Sequence, residues 1–412
     1  MRNRPTRVLF VDHTSELGGA EIALRNLLRY LDPLCVHKQT LLFSDGPLAK
    51  QLSGLCQVHV LQLSARIRET RKESLGWRSV FRAREVAASL AYICRLTWRI
   101  RQMRVDIVHT NSLKSHLIGG IAARCAGCLV VWHVRDRVSN DYLPAFAVRL
   151  IRALSRIVPH AIIANSAATL EALAPAPLAQ RAGMCKAFVV HDGCELPSAI
   201  VPQPAPLPVK IGLVGRISRW KGQHVFIKAA ALIKDEFPDV RFEIIGSPLF
   251  SEAAYEAEIK QLASGLQLGG QLHFLGFVHD IHRAIGELQI LVHASTIGEP
   301  FGQVVIEGMA AAKPVIATRG GGIPEIVEDE DTGLLVPMND EKALADAMAT
   351  LLRDPVMATQ MGLRARQRVR EHFTIQRTAK LVEQVYRELL WPPRGQPEQE
   401  KAVSPKGAGM EA

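Results

Sequence analysis

The chain has 412 residues, 48% of them hydrophobic, with seven cysteines and a formal net charge of +10. That length and apolar content fit two domains, and no stretch reaches the ~18 uninterrupted apolar residues that cross a bilayer. The start Met-Arg-Asn-Arg-Pro-Thr-Arg is basic, but the apolar run 8–11 is far too short for a signal-peptide core, so secretion is not expected. Seven scattered cysteines fit reduced thiols in a cytoplasm. Cys125-Ala-Gly-Cys128 stands without a second pair, so zinc is not expected.

The pattern predicts a strand over 7–11, a break at Gly18-Gly19 and a helix over 20–31, closed by Asp32-Pro33. A strand over 39–43, a short helix over 49–55 and a strand over 58–61 follow. A long helix is predicted over 77–103. Then come strand 107–110, helix 115–125, strand 129–133, helix 145–157, strand 161–164, helix 167–173 and strand 188–190. Residues 197–208 hold prolines at 197, 202, 204, 206 and 208 and read as an extended linker. Alternation restarts with strand 209–214, helix 223–233, strand 241–245, helix 252–262 and strands 272–275 and 290–293. Helix 304–312, strand 315–317, helix 323–327, strand 333–336 and helices 341–353, 356–371 and 374–390 complete it. Strands separated by helices imply parallel sheets covered on both faces. The tail after Trp391 is rich in Pro, Gly and charge, and disorder is expected there.

Residues 66–104 carry eleven Lys/Arg against Glu69, Glu73 and Glu85. Such a patch points to an anionic partner: membrane, phosphorylated acceptor or, last in rank, nucleic acid, for which no binding signature is present. Within it, Val86, Leu90, Ile93 and Ile100 are expected on one side of the helix, with Arg84, Arg95 and Arg99 opposite.

The most informative run is Glu299-Pro-Phe301-Gly302-Gln303-Val304-Val-Ile-Glu307-Gly-Met-Ala. Two acids stand eight apart around a turn that opens a helix. The helix start leaves backbone N–H groups free for an anion. One acid then suits sugar hydroxyls and the other a ribose. Gly215-Arg216-Ile-Ser-Arg-Trp-Lys221-Gly222 follows a strand and precedes a helix, at the carboxyl end where α/β ligands bind.

These motifs resemble the retaining, nucleotide-sugar-dependent glycosyltransferases that include glycogen synthases and bacterial mannosyltransferases. The resemblance implies the GT-B architecture: two doubly wound domains, here 1–196 and 209–373, joined by linker 197–208, with a final helix 374–390 returning to the first domain. It implies that Arg216 and Lys221 bind the donor diphosphate and that Glu299 and Glu307 hold the donor. The helix start at Phe301, Gly302, Gln303 and Val304 would bind the donor by its backbone. The turn His273-Phe-Leu-Gly-Phe277-Val278 would read the base in the same way. Gly18 and Gly19 would approach the diphosphate and the acceptor. His133, in Val131-Trp-His-Val-Arg135-Asp136, would reach the donor sugar. Ser295, the Gly320-Gly-Gly-Ile-Pro-Glu325 turn and Asn165-Ser166 match family positions. Gly246-Ser247-Pro248 departs from the usual Gly-x-Gly-Pro.

Asp329-Glu330-Asp331 offers a single Asp-x-Asp pair in a turn context, so neither a metal nor any other cofactor is expected; the nucleotide sugar is a substrate. Front-face transfer to a glycan or glycolipid acceptor in the cytoplasm, with the basic segment on an anionic membrane, is the reading. The alternatives are a sugar-nucleotide epimerase on a similar fold and a non-catalytic nucleotide-sugar-binding subunit.

Overall fold

The computed structural model describes residues 4–64, 83–174, 185–197, 208–248 and 252–391. Among these, two parallel sheets form. The first contains β1 (Thr6–Asp12), β2 (Val36–Leu42), β3 (Gln57–Val60), β4 (Ile107–Thr110), β5 (Leu129–Val134), β6 (Ala161–Ala164) and β7 (Lys186–Val189), in the order β3-β2-β1-β4-β5-β6-β7. The second contains β8 (Lys210–Val214), β9 (Arg241–Ile245), β10 (Leu272–Gly276), β11 (Ile290–His293), β12 (Val315–Thr318) and β13 (Leu334–Val336), in the order β10-β9-β8-β11-β12-β13. The two doubly wound domains expected from the alternation are present. Strand order reverses between β1 and β4 and again between β8 and β11, so the carboxyl ends there open onto crevices where ligands bind.

The helices are α1 (Gly19–Tyr30), α2 (Pro47–Leu52), α3 (Ala83–Met103), α4 (Leu113–Ala126), α5 (Ala145–Leu154), α6 (Ala167–Leu173) and α7 (Gln223–Ile233). They continue with α8 (Ala253–Gly265), α9 (Ile281–Glu287), α10 (Gln303–Ala310), α11 (Ile323–Ile326), α12 (Glu341–Arg353), α13 (Pro355–His372) and α14 (Ile375–Leu390). The central strands β4, β6, β11 and β12 are buried throughout, as parallel strands sandwiched by helices must be. Tyr92, Leu96 and Ile100 of α3 join Trp132, Val148 and Ile151 in one core. On the other face, Leu24 and Leu27 of α1 meet Ala379, Val382 and Tyr386 of α14, so the last helix lies on the first domain.

The chain passes between domains twice, and the crossings touch. Cys194 N–H donates to Phe373 O (3.0 Å) and Ile375 N–H to Cys194 O (3.1 Å). Gly193 is bare because a Cβ there would come within 2.5 Å of the Thr374–Ile375 backbone.

Three expectations change. The buried face of α3 runs through Tyr92, Leu96 and Ile100, whereas Leu90 is 57% and Trp98 62% exposed; the i, i+4, i+8 row won over the row first expected. β2 starts at Val36 because its full length pairs with β1, Thr6 opposite Val36 and Asp12 opposite Leu42. Helix α9 was not expected. It buries only Ile285 and is started by Asp280, whose carboxylate accepts from Arg283 N–H (3.0 Å). Residues 66–82 of the basic segment, 198–207 of the linker and 392–412 of the tail lie outside the described residues.

Candidate active site

At the β8/β11 reversal, the backbone turns at Gly215 (φ 153°) into Arg216 and a short 3-10 turn, Arg219–Lys221. Gly222 ends that turn at φ 74° and opens α7. A Cβ on Gly222 would sit 1.8 Å from Ala294 O, so only glycine fits. This close approach brings Lys221 to the end of β11, where its ammonium pairs with Glu299. Lys221 also lies 4.3 Å from the centre of the Trp220 ring.

Glu299 is buried. Its Oε1 accepts from Ser295 Oγ (2.6 Å) and lies 3.0 Å from His293 Nε2, besides Lys221. Burial alone would raise this carboxyl's pKa, but the Lys221 charge and His293 hold it well below the usual range. All three contacts fall on Oε1. Arg216 and Lys221 therefore reach the carboxyl end of β8 together, with Glu299 facing them from the end of β11.

Gly302 caps α10 at φ 129°, and a Cβ there would meet Ile323 at 2.5 Å. Phe301 points away from the crevice into the core, stacked on His191 (5.8 Å) and beside Phe373 (6.1 Å). Any donor contact at Phe301 thus falls to its backbone, since the ring is buried. Gln303 Nε2 donates to Glu307 Oε1 (3.2 Å), and Val304 is half-buried. Burial raises the Glu307 pKa, opposed by Gln303, His282 and Arg25. Arg25 belongs to α1, so Glu307 feels the opposite domain. Phe277 is 65% exposed beyond Gly276, at the carboxyl end of β10, with Val278 partly buried next to it. Gly246 keeps its glycine because a Cβ would lie 2.0 Å from Gly215 O.

On the facing domain the β1/β4 reversal holds a buried polar network; the sequence pointed to its members Arg135 and Asn165 but not to Asp12 or Glu21. Asp12 accepts from His13 N–H (2.6 Å), Asn111 Nδ2 (2.6 Å) and Ser112 Oγ (2.9 Å). Asn111 bonds Arg135, whose guanidinium grips Asp192 through Nε (3.0 Å) and Nη2 (2.9 Å). Asn165 Nδ2 also reaches Asp192 (3.2 Å). Gly18 N–H donates to Glu21 Oε2 (3.1 Å), and Gly19 has open space where a Cβ would stand. Burial, then the Asp12 charge, push the Glu21 carboxyl up to about 8. The hints in the sequence were slight: an Asp ending β1 and a Glu two residues after Gly18-Gly19.

His133 does not line the crevice. It alternates with Trp132 and Val134 along β5 and is fully buried on the sheet face covered by α14. Its Nδ1 lies 3.1 Å from His109 Nε2, and His109 Nδ1 lies 2.7 Å from Tyr386 Oη. At the strand end Arg135, not His133, turns into the cleft-side network.

Asp12, His13 and Glu21 bring one potential ligand atom each within 4.8 Å of one another. In the Asp-x-Asp turn, Asp329 pairs with Arg319 and Asp331 with Arg364 (2.6 Å).

Two doubly wound α/β domains that meet across their strand ends make up the GT-B architecture. Residues 205–368 match the model of glycosyl transferases group 1, and residues 17–182 match that of glycosyltransferase family 4. The second domain thus belongs with the group 1 glycosyltransferases and the first with glycosyltransferase family 4. It is 31% identical to a D-inositol 3-phosphate glycosyltransferase of Streptomyces avermitilis over 68% of this chain and 65% of the relative. It is 34% identical to the Corynebacterium urealyticum enzyme of that name over 48% of each chain. The chain thus spans about half the length of most curated relatives it matches. Among solved structures, Anabaena HepE in complex with UDP-glucose aligns at a TM-score of 0.77 and 25% identity, over 92% of this chain and 99% of that one. Sucrose-phosphate synthase from Thermosynechococcus elongatus shares the fold, with a TM-score of 0.75 at 23% identity over 93% of this chain and 99% of that one.

Proposed function

We propose that the protein is a retaining glycosyltransferase that moves a sugar from a nucleotide-diphosphate donor to an acceptor hydroxyl. The observation that carries this reading is the Lys221–Glu299 pair at the β8/β11 reversal, beside Arg216 and at the head of α10. Arg216 and Lys221 take the donor diphosphate and the charge that grows on it as the anomeric C–O bond breaks. Glu299, with Oε1 held by Ser295, His293 and Lys221, offers Oε2 to sugar hydroxyls. Glu307 takes the ribose, and the backbone at Phe301–Val304 and Phe277–Val278 contacts phosphate and base. The acceptor oxygen bonds to the anomeric carbon on the face the leaving group vacates. Its proton passes to the departing phosphate oxygen, and the nucleoside diphosphate leaves. The protein supplies position and charge without a metal. His133 takes no part in this scheme.

A nucleotide sugar as donor is supported by the HepE complex with UDP-glucose, and a glycan or glycolipid acceptor by relatives such as the lipopolysaccharide core mannosyltransferase LpcC of Rhizobium leguminosarum, 29% identical over 44% of this chain. The described part of the basic segment exposes Leu90, Trp98 and Arg95 on α3. That mixture suits a peripheral anionic membrane on the cytoplasmic side. No described helix is long and apolar enough to cross one.

The test is a screen of nucleotide sugars for protection against thermal unfolding, where ligand at 100 times its Kd adds about 2.7 kcal/mol. It is followed by transfer assays with excess chelator. We expect consumption of the donor only with an acceptor and undiminished by chelator. Consumption without an acceptor points to an epimerase. Binding without consumption points to a non-catalytic subunit. Activity lost to chelator and restored by Mg²⁺ or Mn²⁺ removes the metal-free mechanism.

A further inference from the structure

The acceptor-side domain grips the donor-side loop by its backbone. Ser166 caps α6, its Oγ accepting from Thr169 N–H (2.9 Å). The Ser166 and Thr169 hydroxyls both reach the Pro300 carbonyl of the other domain, at 2.5 and 2.9 Å. Ser166 Oγ also lies 2.9 Å from Thr169 Oγ1, so its one proton goes either to the Pro300 carbonyl directly or to the Thr169 hydroxyl that donates to that carbonyl; in both cases the pair holds this single oxygen. Beside them, the Glu325 carboxylate accepts from Ala167 N–H and Ala168 N–H, both at 2.9 Å, and lies 2.8 Å from His191 Nε2. The contact is close enough to exclude a side chain: a Cβ on Gly322 would stand 3.0 Å from Ser166 Cβ and 2.7 Å from Pro300 O.

Pro300 sits between Glu299 and Phe301. Glu299 O accepts from Gly322 N–H (2.9 Å), and the Phe301 ring stacks on His191 at the domain crossing. Residues 299–301 are therefore tied to the first domain on one side and to the crossing on the other. Separating the domains frees the Pro300 carbonyl and uncaps α6 from Glu325 together.

We propose that Ser166, Thr169 and Glu325 form a cross-domain latch that positions the Glu299 loop, so that domain closure and alignment of the donor carboxylate are one event. This rests on the donor-site reading above. The three residues are positioning residues, since they act through Pro300 and α6 and touch no reacting atom.

The test uses the full chain. Ser166→Ala/Thr169→Val removes both hydroxyls with little change of shape, and Ser166→Thr/Thr169→Ser keeps them. The expected result is a kcat at least ~10-fold lower for the first variant. Its Kd for free nucleoside diphosphate, held by the donor-side domain, should move less than about twofold. The hydroxyl-keeping variant should restore kcat. Small-angle scattering without substrate should show a more open particle for the first variant than for the wild type. Thr169→Val alone leaves the α6 cap intact and decides the matter if the double variant does not fold. Wild-type kcat and an unchanged scattering profile in the hydroxyl-free variants overturn the latch. If the wild-type protein consumes no nucleotide sugar, the donor-site reading fails on its own, and the scattering comparison still judges the latch.

Discussion

At the scale of single residues, the Lys221–Glu299 pair changes how substitutions there must be designed. A ligand motif at a strand end, taken from sequence, reads as side chains in an open cleft, each removable without harm to the fold. Glu299 is instead buried, and Lys221 is one of its few partners. Lys221→Ala leaves a buried carboxylate short of its cation, which costs stability as well as activity. We expect Lys221→Ala and Glu299→Gln each to lower kcat/KM by at least ~100-fold, about 2.7 kcal/mol. Lys221→Ala should also lower the thermal midpoint, and the double variant should recover part of that loss. Additive losses of stability in the double-mutant cycle, or normal turnover by either single variant, would remove the pair from the mechanism. The motif made Arg216, Lys221 and Glu299 legible, because their spacing reports a turn and a helix start. His133, Asp12 and Glu21 were not legible in the same way. Which face of β5 a residue occupies depends on strand register, and Glu21 meets Asp12 only once β1 and α1 have packed.

Elements were legible where their period was strong and blurred where it was weak. β4, β6, α7 and α12 are found where alternation and apolar runs put them, whereas α9, with one buried side chain, carries too little pattern. The face of α3 was misjudged because apolar residues lie nearly all round it: Tyr92 and Leu96 on one side, Leu90, Cys94 and Trp98 on the other. That second row, spaced i, i+4, i+8, is the part of the basic segment that can be tested now. The protein should co-sediment with anionic vesicles at low salt, ignore neutral ones and release as salt rises. Trp98→Ser/Arg95→Glu should weaken this severalfold without altering nucleotide protection against unfolding. Equal recovery with anionic and neutral vesicles, or none with either, returns α3 to an ordinary solvent-facing helix. A second element-scale test concerns the turn before α7. Gly222→Ala should lose transfer and several degrees of thermal stability, because its φ and the Ala294 carbonyl both refuse a Cβ.

For the whole molecule, two doubly wound domains were readable from alternation alone, but their mutual contact was not, since Ser166, Pro300 and Glu325 are far apart in sequence. The same holds for the buried titratable groups, whose sum fixes how stability follows pH. His109, His116 and His133 sit inside the first domain, and burial holds all three below the usual histidine range, His116 at about 3. His59, His160 and His224, half-buried, shift the same way for the same reason. Neutral when folded and charged when unfolded below about pH 6.5, they bind protons on unfolding, so stability falls as pH drops through that value. Glu21 acts oppositely. Its folded value of about 8 lies above the ordinary carboxylate value, so unfolding releases its proton and stability falls as pH rises from about 4.5 to 8. The first three histidines outweigh the one carboxyl below pH 6.5, with a net uptake of about two protons on unfolding, so stability falls steeply as pH drops there. Above about pH 7 only Glu21 of these groups still titrates, with a slope of the opposite sign. Stability of the first domain should therefore peak near neutrality. Glu21→Gln, which keeps an acceptor for Gly18 N–H, should gain on the wild type progressively between about pH 4.5 and 8, by on the order of a few kcal/mol at the upper end, and flatten the alkaline limb. Calorimetric unfolding at a series of pH values reads both limbs. A flat profile between pH 5.5 and 6.5 would show that the histidines are charged in the folded state, and an alkaline limb unchanged in Glu21→Gln would show that Glu21 is ionised there.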